Sequence, residues 1–248
     1  MTSPRDHLIV ALDVPTATDA QEIVYELGDS VAYYKVGLQL FAAEGPNVVR
    51  ELVASGRRVF LDLKLHDIPN TVAGAVKAAT ELKVDMLTVH AAGGSKMLEH
   101  AVAAAKSGFQ EPIILGVTVL TNFTKADLDE SGVGNSITNQ VHHLTRLARA
   151  AGCRGVVTSP QEAAGLRSFL HSNFAIVTPG IRPVGKGADD QSRVATPTAA
   201  IHAGASHLVV GRPITAAQNR HQAATAILDE IGAALRSSEM RMAGSRPA

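Results

Sequence analysis

The chain has 248 residues, a length that suits one (β/α)8 barrel of roughly 250 residues better than two ordinary domains. Its 23 Lys and Arg balance 23 Asp and Glu, so there is no basic excess to hold a nucleic-acid backbone or an anionic membrane, and partners of either kind are disfavoured. A hydrophobic fraction of 46% against 19% charged residues rules out intrinsic disorder and provides for a large core.

Cys153 is the single cysteine, which removes an intramolecular disulfide framework and argues against a cysteine zinc site. The apolar run before Asp13 is too short for a secretory signal or a membrane span. Both features point to a reducing compartment, and a cytoplasmic protein is expected.

Short β-branched runs recur along the chain, each followed by an Ala-rich stretch with helical spacing, the rhythm of a parallel sheet. In chain order the strand candidates are 7–13, 33–37, 58–64, 86–91, 113–119, 155–159, 175–180 and 207–211. Helices are expected between them, among others at 19–27, 73–82, 96–107 and 137–151, and after the last strand at 215–235. With no linker or composition shift to divide the chain, the eight units predict a single TIM barrel over 1–248, with about 236–248 as a frayed tail. The glycine-rich loop 181–192 after the seventh strand is a lid candidate.

Active sites of this fold lie at the C-terminal ends of the strands, which is where charged residues carry most meaning. In RVFLDLKLHD, Asp62 and Lys64 alternate with Leu61, Leu63 and Leu65, so strand periodicity sends the charges to the barrel interior and the leucines to the helices. Asp67 lies just beyond. Strand one ends in Asp13 and strand two carries Lys35, so two lysines and at least two aspartates are expected to converge. A neutralising cluster capping the barrel, or a solvated rim, is the alternative for any one of these charges. For Asp62 with Lys64 it is the poorer reading, because burying an ion costs several kcal/mol even when it is paired. Such a row offers fixed cations and a proton donor, with no thiol, imidazole or hydroxyl nucleophile.

The loops after strands seven and eight form the frequent phosphate site of this fold. Here Gly211 allows backbone to approach an anion, Arg212 offers a bidentate fork, and Arg182 and Gln191 bracket the lid loop. The run from Gly180 to Gly187 falls short of a P-loop. It lacks the Ser or Thr that binds magnesium, and Pro183 removes an amide from the cradle. His142 and His143 are adjacent and so cannot share a helix face as metal ligands. His66 and His90 are better read as structural, and no metal or cofactor is called for.

These segments together, IVALDV, YYKVGLQLF, VFLDLKLHDIPNTV, GVTVLT, TPGIRP, DDQSRVATP and VVGRPI, resemble the orotidine 5′-phosphate decarboxylases of bacterial type over nearly the whole chain. The resemblance implies cofactor-independent decarboxylation of orotidine 5′-phosphate to UMP, the last step of de novo pyrimidine nucleotide synthesis. It makes Lys64 the proton donor to C6 and sets Asp62 beside the departing carboxylate. Lys35 would contact Asp62 and the ribose, and Asp13 the ribose hydroxyls. Thr121 and Ser159 match positions near the lid and the pyrimidine, while Arg182, Gln191, Gly211 and Arg212 match the phosphate-binding set. Asp67 and Thr71 belong to the same motif, and the family's Asp reaches into the neighbouring site of a homodimer. The shorter D-x-K-x-x-D also fits magnesium-dependent sugar-phosphate decarboxylases of the same superfamily. A non-catalytic nucleotide-binding barrel is the reading from outside enzymology.

Overall fold

The computed structural model describes residues 3–108, 110–183 and 194–244. Eight parallel strands close into a barrel in the order β1 to β8: Leu8–Ala11, Tyr33–Gly37, Arg58–Leu65, Met86–His90, Ile113–Val117, Gly155–Val157, Ala175–Thr178 and His207–Val210. Every expected strand is present, most of them shorter than the apolar runs suggested. Helices cover the outside, including Ala17–Leu27, Pro69–Glu81, Gly94–Ala105 and Ile137–Ala150. Their starts follow local chemistry. Thr16 and Ser136 accept the backbone N–H groups of Asp19 and Asn139, and Pro69 occupies a first-turn position where its missing N–H costs nothing.

Two apolar layers result from strands buried on both faces. The outer layer joins strands to helices and contains Val10, Leu61 and Val89, with the partly buried Leu63 and Leu65 packed against it. The inner layer fills the barrel with Ile9, Tyr33, Phe60, Met86, Leu115, Val177 and Val209. Two residues along the chain from Tyr33, Phe60 and Met86 come Lys35, Asp62 and Thr88. The apolar plug therefore ends one layer below the C-terminal mouth, and polar groups replace it there.

The C-terminal region differs from expectation twice. Residues 215–235 do not form one helix: a short turn at Arg212–Thr215 is followed by a separate helix, Arg220–Gly244. Asn219 imposes the break, since its side chain accepts the Gln222 N–H at 2.9 Å and so caps a new helix. That helix also runs through 237–244, where a frayed tail was expected. No Pro interrupts it, and Ser237 Oγ bonds back to the Ala234 carbonyl while meeting His202 Nε2 at 2.8 Å. Among the described residues no helix is long and apolar enough to cross a membrane.

Beneath the barrel floor, His207 lies edge-on to Tyr33 and beside His7, with Nδ1 2.9 Å from Ser206 Oγ. Burial pushes its pKa down to about 4, with the His7 and Arg58 charges adding to the effect and Asp6 opposing it. The folded state thus binds this proton less readily than the unfolded chain does. The neutral imidazole's stabilisation is complete above the ordinary pKa of 6.5 and disappears as pH falls toward about 4. Thermal unfolding scans should therefore show stability falling by on the order of 2–3 kcal/mol across that window. His207→Gln should flatten the slope; an unchanged slope would assign it to other groups.

Candidate active site

The mouth of the barrel holds a cavity of about 420 Å³, within the ordinary range for small-molecule sites. Asp13, Lys35, Asp62 and Lys64 line it together with Arg182, Gly211 and Arg212. The first four form a continuous row. Lys35 Nζ lies 2.8 Å from Asp13 Oδ1 and 3.6 Å from Asp62 Oδ2, and Lys64 Nζ lies 2.8 Å from the same Asp62 oxygen. Lys35 and Asp62 are buried, whereas the Asp13 side chain is open to solvent and that of Lys64 is partly so.

Parallel register assembles the row from separate strands. Ala11 stands opposite Lys35 and Gly37 opposite Asp62, so inward-facing positions meet at one height. Asp62 shows how the charges support one another. Burial alone would raise its pKa, but Lys35, then Lys64, and hydrogen bonds from Lys64 and Thr88 outweigh that and hold the carboxyl below 3.8. The site therefore keeps an ionised carboxylate clamped between two cations.

Residues 6–227 match the model of the orotidine 5′-phosphate decarboxylase / HUMPS family. The chain belongs to that family. The orotidine 5′-phosphate decarboxylase of Heliobacterium modesticaldum is 48% identical over 237 residues, covering 93% of this chain and 98% of that one. The enzyme of the same name from Rhodopseudomonas palustris is 50% identical over 230 residues, covering 93% and 96%. Among solved structures, the orotidine 5′-phosphate decarboxylase of Lactobacillus acidophilus superposes with a TM-score of 0.82 at 38% identity, covering 91% of this chain and 99% of that one.

Not every residue of the orotidine 5′-phosphate decarboxylase pattern sits in the cavity. Thr121 lines it; Ser159 does not, being fully buried with its hydroxyl donated to Glu162 at the start of helix Pro160–Arg167. Asp67 and Thr71 are exposed on the rim, where Asp67 Oδ1 accepts the Ile68 N–H at 2.6 Å and the neighbouring Ile68 side chain is 67% exposed. Gln191 and most of the lid candidate lie outside the described residues. The two ends of that loop are joined: Ile181 bridges Ala195, and Arg182 N–H donates to the Ala195 carbonyl at 2.9 Å. The His66 and His90 rings meet at a tilt with their centres 5.3 Å apart, and among the described residues no group of three or more His, Cys, Asp or Glu could hold a metal ion.

Three positions escaped the sequence reading. Asn122, in the loop after β5, lines the cavity; the sequence carries no signal for it beyond its place after Thr121. Thr88 is fully buried and touches Asp62, and the signal was a lone hydroxyl at an inward position of β4. Gly37 follows Lys35 by two and so shares its face. A Cβ there would come within 2.9 Å of Lys35 Nζ and 3.1 Å of Asp13 Oδ1, so any larger residue forces that ion pair to shift. Gly37→Ala is expected to fold and to lower kcat/KM about tenfold, equivalent to about 1.4 kcal/mol, by displacing Lys35. Parental kinetics would show that the lysine shifts without consequence.

Proposed function

We propose that this protein is a carboxy-lyase that converts orotidine 5′-phosphate to UMP and carbon dioxide, in the cytoplasm, with the whole chain acting as one domain. The observation that carries the reading is the Asp13–Lys35–Asp62–Lys64 row, set in one cavity with Arg182 and Arg212. Breaking the C6–carboxylate bond leaves the electron pair on C6, where the pyrimidine ring has no sink for it. In this mechanism the Lys64 ammonium stabilises that charge and delivers its proton to C6 as carbon dioxide departs.

Asp62, ionised beside the substrate carboxylate, disfavours the ground state and fixes the Lys64 ammonium. Lys35 and Asp13 hold the ribose hydroxyls, and Thr121 serves the pyrimidine end. Arg182, Gln191, Gly211 and Arg212 bind the phosphate, whose binding energy closes the loop and holds the reacting carboxylate against Asp62. Asp67 and Thr71 act across a homodimer interface, and their exposure in the single chain, next to exposed Ile68, supports this.

The test is to follow orotidine 5′-phosphate absorbance with purified, metal-stripped protein. Steady decay with release of carbon dioxide is expected. UMP binding without turnover would leave a nucleotide-binding barrel, and activity lost to EDTA and restored by magnesium would favour the sugar-phosphate decarboxylase chemistry.

A further inference from the structure

The Lys64 backbone is bent out of strand geometry. Its φ of +49° lies in the left-handed region that non-glycine residues rarely occupy inside a strand. The other non-glycine residue of this kind, Lys83 at φ +57°, sits in the turn after helix Pro69–Glu81, where such a conformation is ordinary. At Lys64 the pairing of β3 with β4 is broken. Leu61 stands opposite Leu87 but Leu65 stands opposite Val89, so β3 carries two more residues than β4 between these pairs.

The bulge takes the Lys64 N–H out of the strand ladder, and a side chain receives it. Thr88 Oγ1, fully buried on β4, accepts the Lys64 N–H at 2.8 Å and donates its own proton to Asp62 Oδ1 at 3.0 Å. One hydroxyl thus joins the backbone of one member of the charged row to the carboxylate of another. It fixes both ends of the 2.8 Å contact between Lys64 Nζ and Asp62 Oδ2, which uses the opposite carboxylate oxygen.

We propose that Thr88 is a positioning residue for the reaction: its hydroxyl holds the left-handed bend at Lys64 and the rotation of the Asp62 carboxylate, and so aims the Lys64 ammonium. Thr88 is fully buried, does not line the cavity, and acts through the two residues it joins. The inference rests on the proposed decarboxylase function for its kinetic consequence, but not for its geometric one.

Thr88→Val keeps the shape and removes the hydroxyl; Thr88→Ser keeps the hydroxyl. In the Val variant kcat for orotidine 5′-phosphate should fall by on the order of 10–100-fold with KM changed less than about threefold, because the lost hydrogen bonds orient a catalytic charge rather than bind substrate. The Ser variant should stay within about threefold of the parent in both constants. Independently of turnover, the Lys64 amide should be protected from hydrogen exchange in the parent and the Ser variant and exchange rapidly in the Val variant. If Val fails to fold, Thr88→Cys, with a weaker donor and acceptor, should fall between the parent and the expected Val behaviour. Parental kcat in the Val variant, equal losses in Val and Ser, or a protected Lys64 amide without the hydroxyl would each overturn the proposal. A parent with no decarboxylase activity would overturn the functional reading alone, since the exchange pattern is still measured.

Discussion

Replacing Lys64 with alanine is expected to reduce turnover of orotidine 5′-phosphate by at least about 100-fold while UMP still binds, because positioned general acids typically contribute 10²–10⁴-fold. The fold should tolerate the change. Asp62 keeps Lys35 at 3.6 Å and the Thr88 hydroxyl at 3.0 Å, so removing Lys64 does not leave a buried carboxylate alone. Alanine keeps the Cβ that lysine already places at this left-handed position and adds no backbone strain. Calorimetric titration with UMP reports binding, and absorbance decay reports turnover. Lys64→Arg refines the result, since a guanidinium supplies charge but does not release a proton near neutral pH. If arginine restored most of the rate, field stabilisation and not proton delivery would be the main contribution. Alanine activity above about a hundredth of the parent's would remove Lys64 from the donor role.

Mixing two inactive variants should give an active protein. If Asp67 completes the site of a second subunit, Lys64→Ala and Asp67→Ala homodimers each carry only defective sites. A mixed dimer unites both defects in one site and leaves the other intact. Equal mixing with free subunit exchange should then recover about a quarter of parental activity in a twofold-symmetric dimer. The placement of Asp67 makes this the sharper test of the pair. It stands outside the cavity, exposed, with one carboxylate oxygen taken by the Ile68 N–H that precedes helix Pro69–Glu81. Brief incubation at low protein concentration followed by assay at high concentration promotes exchange. No recovery, with mixed dimers demonstrated by mass spectrometry, would show that Asp67 serves its own chain.

The charged row was legible because strand periodicity is local. Two-residue spacing sends Asp62 inward and Leu61 outward whatever the rest of the chain does. Phosphate-end residues were legible for a similar reason, since Gly211 and Arg212 follow directly on a recognisable strand. Ser159 illustrates the limit. It comes two residues after Val157, the last residue of β6, and Val157 lines the cavity, yet the chain turns into helix Pro160–Arg167 and the hydroxyl is bound to Glu162. The C-terminal helix likewise turned on a single cap at Asn219, which competes with a continuous apolar pattern that alone suggested one long helix.

What the sequence determined by itself is the alternation of buried strands and amphipathic helices, the number of units, and the identity of the charges at the strand ends, because hydrophobic period and turn chemistry act within a few residues. What only the tertiary structure decided is which of those charges meet. Register across the closed barrel brings Lys35 between Asp13 and Asp62, places a β4 hydroxyl under the Lys64 backbone, and leaves Gly37 as the space in which the first ion pair fits. The hydrogen bonds among those contacts join residues 22 to 26 positions apart, on different strands or just beyond their ends, and no local period encodes a distance between strands.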